Sequence, residues 1–299
     1  MDWFIWTSLG VGIPLVSNAI FCLILLGSCK KFNTPFYRMV QMSIVIDLLC
    51  YLNTWADKIL CHPTFATILI PVYNLSKWFF IVHTFLGHLF FHLQSGCFLI
   101  LCTFRYTVVR LPNAMEKWSR FYPLAFLLLL MTSSIFTVPF AFVNGLDVIS
   151  FDGTTVHRDI SGWRNFIPFM YIESTTYMFL TIGVWFKTTK TVSGLLSDTI
   201  RKDFKHQITR ILACDLCLHV AVMVWEILTH IGVIPVEWRM IALFCVSDMM
   251  SLSRPLFLLL LDGHVHEELR SWKNKLTGKV VTWLMAHQPS VSSNDNIVN

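Results

Sequence analysis

Charged side chains are scarce in this sequence. Asp, Glu, Lys and Arg account for 14% of its 299 residues, whereas hydrophobic residues account for 55%. Ordinary globular domains carry about 25% charged residues, and here the apolar residues are collected in long runs that contain almost no charge. This composition argues against a soluble enzyme and indicates a polytopic membrane protein.

The sequence also lacks the motifs of common catalytic and cofactor sites. Its 13 glycines are scattered, so no loop is suited to cradle a phosphate, and Cys214 and Cys217 have no second pair to complete a zinc site. The clustered His83, His88 and His92 suggest comparison with membrane di-iron enzymes, but no HxxHH box follows them. We therefore expect no enzymatic activity, no cofactor and no bound metal. The net charge of +5 reflects loop topology, and we expect no nucleic-acid partner.

Seven segments are long and apolar enough to cross a bilayer, which takes about 20 residues with almost no charge. They are roughly Trp3 to Ser28, Phe36 to Trp55, Trp78 to Phe104, Phe121 to Val143, Phe166 to Phe186, Ile211 to Gly232 and Met240 to Leu261. An eighth stretch, Ile59 to Ser76, contains two prolines and would invert the charge pattern of the later loops. We interpret it as an outer loop, so the predicted fold is an all-α membrane protein with a seven-transmembrane helix bundle.

Lys and Arg residues predict the orientation of this bundle, because cytoplasmic loops retain positive charge. One face has basic clusters within 30–38, 105–120, 187–210 and 270–279. The opposite face has only Lys58, Lys77, Arg158, Arg164 and Arg239. We therefore expect the N-terminus outside and the C-terminus inside. The only sequon begins at Asn74 on the predicted outer face, which makes Asn74 a glycosylation candidate.

The chain divides into three predicted parts. Residues 1–262 form the seven-span domain, residues 263–286 a membrane-surface segment, and residues 287–299 a polar tail that we expect to be disordered. In the second part Val265, Leu269, Trp272 and Leu276 repeat with helical spacing. This pattern predicts an amphipathic helix on the inner leaflet.

Two loops have local structure of their own in this interpretation. In the outer loop 144–165, the β-prone tetrads 148–151 and 154–157 flank Asp152-Gly153, which predicts a short hairpin. In the inner loop 187–210, the stretch Ser197 to Lys205 has helix-forming character with Asp198 near its start, which predicts a cytoplasmic extension of the fifth or sixth helix.

Ionisable residues inside the spans are costly in hydrocarbon, so they are the first candidates for function. They are Asp47, Glu173, Asp215, Glu226, Asp248 and Arg254. A ligand pocket open to the exterior would be lined by polar side chains in the outer or middle part of the helices, namely Thr84, His88, Glu173, Tyr177, Glu226 and His230. Hydrogen bonding between neighbouring helices is the alternative role for any one of them. Asp215 and His219 lie nearer the cytoplasm, where packing or a conformational switch suits them better.

Several positions resemble the markers of G-protein-coupled receptors. They are Asn18 and Asp47 in the first two spans, Phe104-Arg105-Tyr106 at the end of the third, and Ser253-Arg254-Pro255 in the seventh. The chain departs from the rhodopsin-like pattern where Phe104 replaces an acid and where the sixth span lacks a proline. The resemblance implies an intramembrane switch formed by Asn18, Asp47, Asp215, Arg254 and Pro255. It also implies a G-protein face at Arg105 and Tyr106.

A closer likeness is to the nematode serpentine chemoreceptors of class gamma. The segments that carry it are Lys31 to Arg38, Tyr51 to Thr54, Phe104 to Thr107, Leu195 to Ser197, Val246 to Asp248 and Pro255 to Asp262. The resemblance extends over most of residues 1–270. It implies a chemosensory receptor of the sensory-neuron plasma membrane that binds a small-molecule ligand and signals through a heterotrimeric G protein.

Two hypotheses concern the charged residues. If the bundle resembles other such receptors, Arg254 approaches Asp47, and replacing Asp47 alone should impair folding more than replacing both. Arg105, which lacks the usual neighbouring acid, would face the G protein. A transporter or a ligand-gated channel is the alternative function. The sequence has no evident internal repeat, which argues against an inverted-repeat transporter, and the predicted outer N-terminus differs from that of insect odorant-receptor channels.

Overall fold

A computed structural model describes residues 2–60, 67, 71, 77–144, 149–151, 156–158, 167–194, 213–221, 223–225, 227–228, 231–233 and 236–286. Within these ranges the regular structure is helical apart from one short hairpin. In chain order the elements are α1 Asp2–Ser28, a 3₁₀ turn Lys30–Phe32, α2 Pro35–Leu60, α3 Lys77–Arg110, α4 Ala114–Asn144, β1 Ile149–Phe151, β2 Val156–Arg158, α5 Ile167–Gly194, α6 Ala213–Trp225, α7 Val236–Leu261 and α8 Gly263–Ala286.

Several helices have the length and composition of membrane spans. Within the described ranges, α1, α2, α3, α4 and α7 each contain an apolar stretch long enough to cross a bilayer. The helix α5 has 28 residues, and α6 is a shorter apolar helix. A helix satisfies its backbone hydrogen bonds internally, which a membrane span requires because hydrocarbon offers the backbone no hydrogen-bond partners. The predicted all-α architecture is therefore confirmed for these helices, while the number of seven spans and the orientation of the termini stay predictions.

Helix α3 lies at the centre of the bundle and packs against α2, α4 and α5, while α7 packs against α1 and α2. Leu25, Phe98 and Leu258 are almost fully buried where α1, α3 and α7 contribute to the core. The outer side of α4 is different, because Leu128 and Ile135 are 53% and 66% exposed there. Large exposed apolar side chains in such numbers suit a surface that contacts lipid rather than water.

Gly96 allows a close approach of α3 to α4. A Cβ atom at this position would overlap the side chain of Leu129, which is itself buried. A Cβ atom at Gly183 of α5 would instead meet no other atom of the described residues within 4 Å. The two glycines therefore form a matched pair for testing how tightly α3 and α4 pack.

We expect Gly96→Ala to destabilise the protein by roughly 1–3 kcal/mol, the usual cost of overpacking a closed interface. The matched Gly183→Ala should leave stability unchanged or raise it by up to about 1 kcal/mol, because Ala forms helix better than Gly. Thermal unfolding of the purified variants in detergent measures both effects. Equal midpoints for the two variants would show that the α3–α4 contact is not tight at Gly96.

The predicted hairpin after α4 is confirmed. Strands β1 and β2 pair antiparallel, with Ile149 opposite Arg158 and Phe151 opposite Val156. This register leaves residues 152–155 between the strands, so the connection is longer than the two-residue Asp152-Gly153 turn that the sequence suggested.

Other predicted segments are covered in part. The helix α5 continues to Gly194, eight residues beyond the predicted span end at Phe186. The stretch 197–205, from which the extension was predicted, lies outside the described residues, so an extension over that stretch stays a prediction. The predicted outer loop 59–76 lies largely outside the described residues, as does the sequon at Asn74. The inner residues 195–212 and the tail 287–299 also lie outside them.

Asp262 follows the last residue of α7 and caps α8. Its Oδ1 accepts hydrogen bonds from the backbone N–H groups of His264 at 2.9 Å and Val265 at 3.1 Å, as an N-cap residue does. Val265 is fully buried, and Leu269 and Trp272 pack against the core of the bundle. The predicted helix over 263–286 is thus present, with its apolar side toward the bundle, while its position on a membrane surface stays a prediction.

The helix α8 is also joined to the turn between α1 and α2. The Nζ of Lys31 lies 2.7 Å from Oε2 of Glu267, and both side chains are exposed. The hydrogen bond and the positive charge of Lys31 lower the pKa of the Glu267 carboxyl. A carboxyl whose pKa is lower in the folded than in the unfolded protein stabilises the fold at pH values above its unfolded-state pKa. This stabilisation is lost as the pH falls through the folded-state pKa.

Candidate functional site

The centre of the bundle contains a buried arginine held by two carboxylates. Arg254 of α7 is 3% exposed, and its Nη1 lies 2.6 Å from Oδ2 of Asp47 on α2. Its Nε lies 2.9 Å from Oδ2 of Asp215 on α6. The expected approach of Arg254 to Asp47 is confirmed, and Asp215 is a second partner that the sequence pattern did not reveal.

This second partner reverses the expected effect of replacing Asp47. Without Asp47, Arg254 still has Asp215 as its counter-ion. Without both Asp47 and Arg254, the buried carboxylate of Asp215 has lost its cation, which is the more costly arrangement. The expectation that the single replacement is more damaging than the double one assumed a pair, whereas the protein has a triad. We therefore expect the double replacement to be the more damaging of the two.

Neutral side chains extend the triad to α3. The Nε2 of Gln94 lies 3.0 Å from both Oδ1 of Asp47 and Oγ of Ser251 and donates to them. The Nη1 of Arg254 also donates to Oγ of Ser43. We refer to Ser43, Asp47, Gln94, Asp215, Ser251 and Arg254 as the Arg254 network. Because it joins α2, α3, α6 and α7 in a buried region of low dielectric, its hydrogen bonds support one another and fix the relative positions of four helices.

The two remaining residues of the predicted switch lie in α1 and α7. Pro255 has no N–H to donate to the carbonyl of Ser251, so it interrupts the hydrogen bonding of α7 beside the network. Its own carbonyl accepts a hydrogen bond from the thiol of Cys22 at 3.5 Å. The buried Nδ2 of Asn18 has no hydrogen-bond partner within the described ranges.

A cavity of about 30 Å³ lies beside the network, between α3, α5, α6 and α7. Its polar lining residues are Ser95, Tyr177, Thr181 and His219. Its apolar lining residues are Phe91, Phe98, Met178, Leu216, Met223 and Met250. A largely apolar wall with a few polar groups is typical of small-molecule sites, and methionine side chains repack readily around molecules of different shape.

His219 connects the cavity to the Arg254 network. Its Nδ1 lies 2.8 Å from the backbone carbonyl oxygen of Asp215, and its ring stacks on Phe98 with centroids 4.8 Å apart. The side chain of the same Asp215 holds Arg254. A molecule that displaces the imidazole would therefore act on the turn of α6 that carries Asp215.

The structure brings only part of the predicted ligand set to this cavity. Tyr177 lines it, and His88 is buried on α3. The side chains outside the described part are those of Thr84, Glu173, Glu226 and His230. His219, which the sequence placed with the switch residues, lines the cavity as well, so the cavity reaches deeper into the bundle than the predicted pocket.

The histidine cluster of α3 contributes to helix packing. The Nε2 of His83 donates to the backbone carbonyl of Asn53 at 3.1 Å, and the Nδ2 of Asn53 donates to the backbone carbonyl of His83 at 3.4 Å. These two bonds join α2 to α3. Among the described residues, no group of His, Cys, Asp and Glu side chains is arranged to hold a metal ion.

Lys58 forms a second buried ion pair, away from the central Arg254 network, at the end of α2 that precedes the predicted outer loop 59–76. Its Nζ lies 2.6 Å from both carboxylate oxygens of Asp248 on α7. The same Nζ lies 4.8 Å, 5.1 Å and 5.9 Å from the ring centroids of Trp55, Tyr51 and Phe244. We call these five residues the Lys58 cage. Lys58 was predicted to be a charge of the outer face, and the structure places it in the last turn of α2, where it is 1% exposed.

Three segments that carried the sequence resemblance meet at the end of the bundle opposite the cage. The ring of Phe36 stacks on that of Phe104, with centroids 5.9 Å apart. The hydroxyl of Tyr37 donates to Oδ2 of Asp262 at 3.0 Å. The segments 31–38, 104–107 and 255–262 are therefore in contact although they are distant along the chain.

The predicted G-protein residues lie at this same end. Arg105 is buried, with 7% of its surface exposed, and Tyr106 is half-buried. The guanidinium of Arg110 donates to the hydroxyl of Tyr106 and lies 5.8 Å from its ring centroid. In this arrangement the Arg105 side chain faces the bundle and is covered from solvent.

Comparisons with known proteins point to one family, whose model matches nearly the whole chain. A model of a protein family described as "Srg family chemoreceptor" matches residues 5–269. Serpentine receptor class gamma-53 of Caenorhabditis elegans is 27% identical over 277 residues, which cover 89% of this chain and 90% of that protein. Serpentine receptor class gamma-47 of the same organism is 30% identical over 125 residues, or 40% of each chain.

Proposed function

Because the chain belongs to the Srg family of chemoreceptors, as the sequence resemblance predicted, we propose that it is a receptor that binds a small-molecule cue from outside the cell and signals to a heterotrimeric G protein. Membership in this family favours a receptor over the alternative transporter or ligand-gated channel. It equally favours signalling over enzymatic catalysis as the activity of the bundle.

The proposed location is the plasma membrane of a sensory neuron, with seven spans, the N-terminus outside and the C-terminus inside. Two observations support this topology. Basic clusters flank alternate predicted span ends, and the exposed side of α4 is apolar, with Leu128 and Ile135 among its residues. In this orientation the Lys58 cage lies at the outer end of the bundle, and the contact between the segments 31–38 and 104–107 lies at the inner end.

The single observation that carries the mechanism is the contact between the cavity and the Arg254 network. His219 lines the cavity and is hydrogen-bonded to the backbone of Asp215, whose side chain binds Arg254. A ligand that prefers one arrangement of α6 against α7 shifts the equilibrium toward that arrangement. We propose that Asn18, Asp47, Asp215, Arg254 and Pro255 form the switch that such a ligand biases.

The ligand enters from the outer side in this proposal. Thr84, His88, Glu173, Tyr177, Glu226 and His230 are its proposed contacts on the way to the cavity. Tyr177 supports the assignment, because it belongs to both the predicted set and the cavity wall.

Arg105 and Tyr106 are the proposed G-protein contacts. Since Arg105 is buried in the described arrangement, a movement of the helices around the end of α3 must uncover it before a G protein can bind. This requirement provides the link between the ligand cavity and the signal.

The test is expression in cells that carry a G-protein reporter, followed by a screen of volatile and water-soluble small molecules. We expect at least one cue to raise the reporter signal, and we expect Arg105→Ala to abolish that rise at unchanged surface level. The exposed Arg110 provides the matched control Arg110→Ala, which should retain most of the response. A full response of Arg105→Ala would contradict the assigned G-protein face, and a cue-driven ionic current without a G-protein signal would favour the channel alternative.

A further inference from the structure

The cavity contains one polar group whose hydrogen-bonding role is set by its neighbours. The Nδ1 of His219 lies 2.8 Å from the backbone carbonyl oxygen of Asp215. A carbonyl oxygen can only accept, so Nδ1 carries the hydrogen atom of this bond. In the neutral imidazole the other nitrogen, Nε2, then has a free lone pair and acts as an acceptor.

This acceptor belongs to a residue that lines the cavity. The Nε2 atom is buried and has no hydrogen-bond partner among the residues that the structure describes. Leaving a buried acceptor unsatisfied is unfavourable, so a molecule that donates a hydrogen bond to it gains affinity. The face of the ring is covered by Phe98, which also lines the cavity, and these apolar surroundings suit the neutral form of the imidazole.

The other polar groups discriminate less between ligands. The hydroxyls of Ser95 and Thr181 can rotate and serve as donor or acceptor. Tyr177 likewise has a hydroxyl that can donate or accept, and the remaining wall is aromatic, aliphatic or methionine. The carboxylate of Asp215 is already bound to Arg254, so a cationic amine would have to leave water without gaining a free counter-ion.

We propose that this cavity binds a compact alcohol whose hydroxyl donates a hydrogen bond to Nε2 of His219. The volume of about 30 Å³ holds about two waters. An alcohol of about three or four non-hydrogen atoms therefore fits only when Met178, Met223 and Met250 move, which their flexible side chains allow. An ether or ketone of the same shape lacks the hydrogen and leaves Nε2 unpaired. This inference rests on the proposed function, since it names the chemical class of the cue.

The experiment compares propan-1-ol with its isomer ethyl methyl ether, which has the same atoms but no hydroxyl hydrogen. Each is titrated against the purified full-length protein in detergent, and the rise in unfolding temperature gives an apparent affinity. We expect the alcohol to stabilise the protein at roughly tenfold or more lower concentration than the ether, because a site that hydrogen-bonds a ligand hydroxyl discriminates strongly against the analogue that lacks it. Equal potency of the two isomers, or no stabilisation by either, would overturn the proposal without any variant being needed.

Two variants separate the site from effects on the micelle. In His219→Phe the ring can still stack on Phe98 but cannot accept a hydrogen bond, so the preference for the alcohol should disappear. In Met250→Phe the cavity is partly filled, so both isomers should lose potency while micelle effects persist. Preference for the alcohol in His219→Phe equal to that of the unaltered protein would place its binding elsewhere and refute the assignment.

The readout is independent of signalling. Alcohol preference without any response in the G-protein reporter would leave this site standing and refute the proposed coupling. A reporter response to cues of other classes, without alcohol preference in the binding assay, would support the proposed receptor function and refute the alcohol site.

Discussion

Replacing Arg254 with methionine is expected to remove most of the protein from the cell surface. The substitution leaves the carboxyl groups of Asp47 and Asp215 inside the bundle, 1% and 3% exposed, without their cation. Breaking a buried ion pair in this way costs about 3–5 kcal/mol, which is a large share of the roughly 5–15 kcal/mol by which proteins are stable. Surface biotinylation measures the loss in cells, and thermal unfolding measures it on any protein that can be purified.

Related variants should lose surface expression in a particular order. Asp47→Asn should be milder than Arg254→Met, because Arg254 keeps Asp215 as a partner and the new amide can still accept from Gln94. Combining Asp47→Asn with Arg254→Met should be worse than Asp47→Asn alone. A triple variant that also contains Asp215→Asn removes every charge of the triad and should recover much of the lost surface expression.

The matched control is Arg120→Met, the same substitution in an exposed pair. Arg120 and Glu116 lie 2.7 Å apart, but their side chains are 72% and 66% exposed, so their interaction contributes at most about 0.5 kcal/mol. Surface levels that are equally low for Arg120→Met and Arg254→Met would show that general charge loss, rather than the buried triad, is responsible.

Asp248→Asn is expected to destabilise the protein by about 3 kcal/mol, which is the scale for removing one partner of a buried ion pair. Lys58 is 1% exposed, and the carboxylate of Asp248 is the anionic partner of its ammonium group in the Lys58 cage. The rings of Trp55, Tyr51 and Phe244 offset part of the loss through cation–π attraction, which is worth about 1–2 kcal/mol when desolvated.

Replacing the other partner of the pair, Lys58, should be less damaging than replacing Asp248. In Lys58→Met the thioether fills the same aromatic cage, and the Asp248 side chain, which is 19% exposed, can turn toward water. Thermal unfolding should therefore give a smaller drop for Lys58→Met than for Asp248→Asn, with the double variant close to the unaltered protein. A drop for Lys58→Met as large as that for Asp248→Asn would mean that Asp248 depends on Lys58 as much as Lys58 depends on Asp248.

The helices could be predicted well because their cause is local. A stretch such as Trp3 to Ser28 is apolar throughout, and hydrocarbon requires a helix from any such stretch. The helix over 263–286 could be predicted for a similar reason, since its apolar residues repeat at helical spacing. The hairpin was found from its β-prone tetrads, but the length of its connection was not, because register depends on which cross-strand pairs fit.

The partners inside the bundle could not be predicted in the same way. Asp47 and Arg254 were paired through a family resemblance, whereas the contact of Asp215 with Arg254 depends on how α6 is rotated against α7. Lys58 was misassigned because a lysine near a span end is usually a topology signal, and nothing local shows that three aromatic rings and Asp248 surround it.

The sequence by itself determined that this chain is a helical membrane protein of a chemoreceptor family, because composition and short motifs report local preferences and common descent. Only the tertiary structure decided which ionisable groups share a buried site and that His219, bonded to the backbone of Asp215, lines a cavity. The physical reason is that a charge in a low-dielectric interior takes its properties from atoms within a few ångströms. Those atoms come from helices far apart in the chain, so their arrangement is set by packing and not by any one segment.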